Sequence, residues 1–219
     1  MSAERTKIIA CSLVIEEIVP YLPSGMDCQT LDSELHVNTD VLRRSLQEAI
    51  DASTSSAEII LLGYGLCSQA VVGLQANGCT LVIPKVDDCI ALFLGSEEAY
   101  KAQFKVAPGT YYLTKSWIES GRSIFDEYNI LVDRYGESRA LSLMRNFLKH
   151  YTRLALINTG RHELEFCRDY CLRTADRFGL RYEEIPGSSS LFERIVQGPH
   201  DNDFVIVQPN EIVTFRDFK

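Results

Sequence analysis

Three short apolar runs constrain this chain most: Lys7-Ile8-Ile9-Ala10, Glu58 to Leu62, and Thr80-Leu81-Val82-Ile83. Each is largely apolar without alternation, the way a strand reads when helices cover both faces of its sheet. Each leads into a turn or helix, and a cysteine stands just beyond each: Cys11, Cys67 and Cys89. In an open parallel sheet the carboxyl ends of the strands share one edge, and ligands bind outside that edge. The sequence therefore predicts an α/β fold of mostly parallel sheet or sheets flanked by helices, arranged as one body or as two Rossmann-like lobes around a crevice. It also predicts that the three thiols converge.

The rest of the chain keeps the alternation. A short helix is expected over Ser12–Val19 and an extended segment over Met26–Leu31. Leu42, Leu46, Ala49 and Ile50 keep a helical period behind a cap at Asn38 or Thr39. Leu66–Gln75 reads as a helix, with Ala70, Val71 and Leu74 facing inward. Ile90–Phe104 reads as a helix broken at Gly95-Ser96, and Thr110–Leu113 as a β-branched and aromatic strand. Ser116–His150 differs, because Trp117, Tyr128, Leu131, Leu141, Met144 and Leu148 are spaced for amphipathic helices. Strands at Arg153–Asn158, Leu180–Ile185 and Asp203–Val207 then alternate with helices at His162–Phe178 and Ser189–Val196. The expected division is 1–115 as a first α/β half carrying the cysteines, 116–150 as a helical insert or bridge, and 151–219 as a second α/β half.

Composition narrows the function. The 219 residues are 46% hydrophobic and 24% charged, with a formal net charge of -8. That balance suits a globular chain and lacks the basic footprint of nucleic-acid binding. No run reaches the roughly 18 apolar residues of a membrane span, and Met1 to Lys7 holds no signal-peptide core. A cytoplasmic location is expected, with no nucleic-acid or membrane partner. In that compartment seven cysteines are buried thiols, ligands or reactive groups rather than a disulfide framework.

The thiols of Cys11, Cys67 and Cys89 are candidate metal ligands, for an iron–sulfur cluster or for zinc, because thiolates bind both. The alternatives are a reactive thiol, or three small buried hydrophobes. Asp87 and Asp88 adjoin Cys89, and are read either as proton carriers and ligand-orienting groups or as capping residues. Tyr64, between Gly63 and Gly65, donates a hydrogen bond to a ligand or simply packs, and the two glycines leave room for backbone to approach that ligand. The run is no G-x-G-x-x-G fingerprint, since Ser68 stands at the third glycine's place. Later, Asn158-Thr159-Gly160-Arg161-His162 and Pro186-Gly187-Ser188-Ser189-Ser190 each follow a strand. Arg161 with helix N-terminal amides, and Gly187, Ser188 and Ser189, are candidates to hold a carboxylate or phosphate. The bland alternative is a capping turn. Cys167 and Cys171 are read as core residues. A Walker lysine, a zincin motif and a Gly-x-Ser-x-Gly elbow are absent.

Ile9-Ala10-Cys11, Leu62-Gly63-Tyr64-Gly65-Leu66-Cys67, Pro84-Lys85-Val86-Asp87-Asp88-Cys89 and Pro108-Gly109-Thr110-Tyr111-Tyr112-Leu113-Thr114 with Trp117 resemble the family of domain of unknown function 1638. The resemblance covers most of residues 7–210, and Lys85 stands where the family is expected to carry arginine. Members occur in anaerobic bacteria and archaea, often beside corrinoid-dependent methyltransferase systems. The resemblance thus implies a role in one-carbon or corrinoid metabolism, with a methyltransferase-system protein as partner, although no Asp-x-His-x-x-Gly corrinoid signature is present. The expectation is a metal- or iron–sulfur-dependent enzyme acting on a small polar or anionic metabolite. Its alternatives are a metal chaperone or accessory protein of a methyltransferase system, and a small-molecule binding module without metal.

Overall fold

A computed structural model describes residues 5–219. The chain opens with β1 (Thr6–Cys11), α1 (Ile15–Ile18), β2 (Asp27–Leu31), α2 (Thr39–Ser53), β3 (Ile59–Gly63) and β4 (Thr80–Pro84). It continues through α3 (Cys89–Leu94), α4 (Glu97–Val106), β5 (Thr110–Leu113), α5 (Lys115–Ser120), α6 (Glu127–Tyr135) and α7 (Glu137–Phe147). It closes with β6 (Arg153–Asn158), α8 (Glu165–Phe178), β7 (Arg181–Pro186), α9 (Ser190–Gln197) and β8 (Phe204–Val207). These elements build a mixed α/β fold with two sheets flanked by helices, in two compact units: Met1–Glu97 with Ser189–Lys219, and Glu98–Ser188. This partition interleaves the chain and differs from the division expected at 115 and 150.

The first unit holds the sheet β2-β1-β3-β4-β8. Its first four strands run parallel and β8 returns antiparallel along β4. Nearly every residue of β1, β3 and β4 is buried, as their unbroken apolar runs require, whereas the edge strand β2 is mostly half-exposed. Asn38 caps α2 by accepting from the Asp40 and Val41 amides, and the Leu42, Leu46, Ala49 and Ile50 stripe is buried. α9 buries Leu191, Phe192, Ile195 and Val196, and Phe192 meets Phe93 of α3 edge-on, with ring centroids 5.2 Å apart.

One expected helix is missing. Residues 66–75 form a chain of turns. Cys67, Ser68 and Gln69 all take positive φ (45°, 55° and 68°), and Gly73 follows at 91°. Left-handed backbone cannot continue a right-handed helix. The segment instead bonds to the C-terminal tail: the Gly73 amide donates to Val213 O, and the Val213 amide donates to Leu74 O, each at 2.9 Å. The expected inner face survives, since Ala70, Val71 and Leu74 are fully buried. Periodicity had located the apolar face, and the tail decided the backbone.

The second unit carries the parallel sheet β5-β6-β7. Leu113, Tyr128, Met144, Leu154 and Leu156 share one core with Cys167 and Cys171 of α8, so the helices of 116–150 pack into this unit. α8 begins at Glu165, leaving Arg161 and His162 in the preceding loop rather than in the helix's first turn. Arg153 is only 1% exposed. It is satisfied by donating to Thr110 Oγ1 (2.7 Å), Glu183 Oε2 (3.1 Å) and Gln103 Oε1 (3.0 Å). Among the described residues no helix is long and apolar enough to cross a membrane.

Candidate functional site

The carboxyl edge of the first sheet gathers most of the expected site. Cys11 ends β1, Tyr64 follows β3, and Lys85 to Asp88 link β4 to Cys89 at the start of α3. Two backbone bonds join the last two turns: the Leu66 amide donates to Val86 O (2.8 Å) and the Cys67 amide to Asp87 O (2.9 Å). Cys67 is thereby fixed beside Asp87, Asp88 and Cys89. The glycines make this possible for the chain itself. A Cβ on Gly63 would lie 2.7 Å from Ala10 Cβ, and one on Gly65 would lie 2.7 Å from Val86 O. Their missing side chains let neighbouring backbone close in.

Tyr64 is the best-buried polar group here, at 1% exposed. Among the described residues its hydroxyl has no hydrogen-bond partner. Burial, then the nearby Cys11 and Cys67, push its ionisation far above the usual phenol value, so it remains a donor. His36 stacks on the same ring at 5.9 Å with 18° between planes. Sequence reading missed His36, yet it lies just beyond β2, whose carboxyl end belongs to the same sheet edge.

Asp88 caps α3 by accepting the Ile90 amide at 2.8 Å. Burial raises its carboxyl above the usual range, the Ile90 and Ala91 amides pull it back, and Asp87 raises it further. Asp87 is exposed, and its amide donates to Glu97 Oε2 at 3.2 Å. Lys85 is held by donating to Lys219 O at 2.8 Å.

The metal expectation is corrected by this geometry. Cys11 lies near enough to raise the ionisation of Cys67 and Cys89, and Cys67 that of Cys89. Even so, among the described residues no group of three or more His, Cys, Asp or Glu could hold a metal ion. An iron–sulfur or zinc site on Cys11, Cys67 and Cys89 is therefore withdrawn. Only Cys11 lies within its strand; Cys67 stands in a left-handed turn beyond β3 and Cys89 opens α3, so strand spacing does not set where the three thiols lie. Burial also holds the thiols protonated: it pushes Cys67 up to about 12, Cys89 well above its ordinary value, and Cys11 upward.

The later candidate turns lie in the second unit. Asn158, Thr159, Gly160, Glu184, Ile185, Pro186 and Gly187 line a cavity of about 380 Å³ at the carboxyl ends of β6 and β7. Gly187 belongs to it, donating its amide to Asn158 O at 2.7 Å. Arg161 and Ser188 lie outside that lining, and Ser189 is the residue preceding α9. Glu184 was missed, because a lone glutamate within Arg181–Pro186 carries no motif.

An α/β chain with strand-end turns at two sheet edges is a general small-molecule scaffold. Residues 30–196 match the family model described as a protein of unknown function, DUF1638, and the chain belongs to that family. No curated protein and no solved structure matches it.

Proposed function

We propose that this chain binds a small polar metabolite at the carboxyl edge of its first sheet, with the Tyr64 hydroxyl as the anchoring donor and Asp88 as the proton-handling group. The observation that carries this is the buried, unpartnered Tyr64 hydroxyl. An unmet buried hydroxyl costs about 1–3 kcal/mol, a cost that a ligand oxygen accepting from it would remove. Three consecutive non-glycine residues in left-handed backbone, Cys67 to Gln69, support the same location, since such conformations gather at ligand-binding turns. The protonated thiols act as weakly polar walls rather than as nucleophiles. Asp88, raised by burial, is suited to exchange a proton with the ligand.

Tyr64→Phe tests this. Without ligand the variant should be more stable than wild type by about 0.5–2 kcal/mol, because it deletes an unmet buried group. Thermal shifts against a panel of small carboxylic acids, amides and alcohols should show a ligand that raises the wild-type midpoint and leaves Tyr64→Phe unmoved. A variant that is clearly destabilised would mean that the hydroxyl already has a partner, and the anchoring role would fall.

A further inference from the structure

The acids at the carboxyl edge of the first sheet have no cation to answer them. Asp88 commits part of its carboxylate to the Ile90 amide, at 2.8 Å, and to the Ala91 amide. A carboxylate offers about four acceptor positions, so about two remain on Asp88. Asp87 beside it is exposed, and it meets Glu97 through its amide rather than its carboxylate. Among the described residues neither Asp87 nor Asp88 pairs with a Lys or Arg. Lys85, the cation of the same turn, donates to Lys219 O instead. Other cations of this unit are committed elsewhere: Arg5 to Glu58, Lys7 to Asp27, and Arg194 to Asp201 and Asp203.

A second observation joins these acids to a ligand. The Tyr64 hydroxyl, buried and without a partner among the described residues, lies close to Cys11 and Cys67. Cys67 and Cys89 in turn lie close to Asp88, so the donor and the carboxylate belong to one contiguous patch. Every carboxylate or cation that reaches these side chains is an acid: Asp32, Asp87 or Asp88. Burial lowers the basicity of His36, so the ring stacked on Tyr64 adds no positive charge at neutral pH. An anion would therefore meet carboxylates and neutral thiols, whereas an ammonium group would find the acceptors that Asp88 has left over. Burial sets the order of the two ends. Tyr64 is fully buried, Asp88 half-buried and Asp87 exposed, so a neutral oxygen goes inward and the charged nitrogen stays near water, where its desolvation costs least.

We infer that this edge takes a small amine carrying a neutral oxygen, such as an amino alcohol, its oxygen accepting from the Tyr64 hydroxyl and its ammonium donating to Asp88. The inference rests on the Tyr64-anchored reading above and names the ligand class. Ethanolamine, ethylene glycol and glycolate share a hydroxymethyl end and differ in the charge of the other. Titration of ¹⁵N-labelled full-length protein with each, followed by amide spectra, separates them. Saturable shifts at Cys67, Asp88 and Ile90 are expected with ethanolamine, which should bind about tenfold more tightly than ethylene glycol, with glycolate weakest. Asp88→Asn keeps an oxygen to cap α3, and it should bring ethanolamine down to the level of ethylene glycol. Tyr64→Phe should weaken both. Ethylene glycol or glycolate binding as tightly as ethanolamine, with that binding lost in Tyr64→Phe, would overturn the amine assignment and leave the anchoring hydroxyl standing. Ethanolamine binding equally to wild type and Tyr64→Phe would remove the anchor and the inference with it. An ethanolamine preference that survives Asp88→Asn, or no saturable shift with any of the three, would also overturn the assignment.

Discussion

Gly65→Ala perturbs the first sheet's site through backbone alone. The added Cβ would lie 2.7 Å from both Val86 O and Val86 Cγ2, and 3.2 Å from the Asp88 amide nitrogen. Ordinary contact begins near 3.4 Å, so a displacement of about 0.7 Å is required. A side-chain tip could swing away, but Val86 O is backbone and already accepts the Leu66 amide at 2.8 Å. Overpacking of this kind costs about 1–3 kcal/mol. Stretching the Leu66–Val86 and Cys67–Asp87 bonds adds about 0.5–1.5 kcal/mol for each bond lost. The expected loss is thus about 2–6 kcal/mol, read as a lower urea midpoint with an unchanged slope. Gly78→Ala is the control, because it has positive φ but nothing within 4 Å, and it should lose only about 1 kcal/mol. If Gly65→Ala cost no more than Gly78→Ala, the close approach of these two turns would be refuted.

Other outcomes follow from the same contacts. Arg153→Ala removes three side-chain hydrogen bonds and leaves a cavity; it should cost about 2–4 kcal/mol in chemical denaturation. The cost should stay below that of a fully buried ion pair, because Glu183 is 37% exposed and also pairs with Arg181. Asp88→Ala should lose about 1 kcal/mol of stability by uncapping α3, whereas Asp88→Asn, which keeps an accepting oxygen, should lose almost none. The Cys67 thiol is raised from 9.0 to about 12 when folded. Its contribution to stability is therefore complete below pH 9 and declines as the pH climbs from 9 towards 12. The urea midpoint of wild type should fall across that window more steeply than that of Cys67→Ala, and parallel curves would contradict a buried neutral thiol.

Local sequence patterns carried the elements well where one face dominated the energetics. The unbroken runs of β1, β3 and β4 announced strands covered on both sides, and the stripe from Leu42 to Ile50 announced an amphipathic helix with its cap at Asn38. The same logic failed over residues 66–75. Burial of Ala70, Val71 and Leu74 fits a helix as well as a string of turns, and the hydrogen-bond partner that chose between them is more than a hundred residues away, at Glu211 and Val213. The start of α8 moved from His162 to Glu165, as helix boundaries do when no side-chain cap marks them.

For the function, the sequence by itself determined that Cys11, Tyr64, Cys67, Asp88 and Cys89 would share one sheet edge, because parallel strands must end on a common side. It could not determine where their polar atoms point. Tertiary structure decided that the sulfurs do not form a metal-binding group, that the Tyr64 hydroxyl is left without a partner, and that His36 covers its ring. It also brought Glu184 and Asn158 together on one cavity, with Arg168 of α8 bonded to Glu184. The physical reason is the same throughout. Hydrophobic period is written along the chain and fixes which residues are buried. Metal ligation, hydrogen bonding and proton affinity depend on distances of a few ångströms between atoms that only the folded chain makes neighbours.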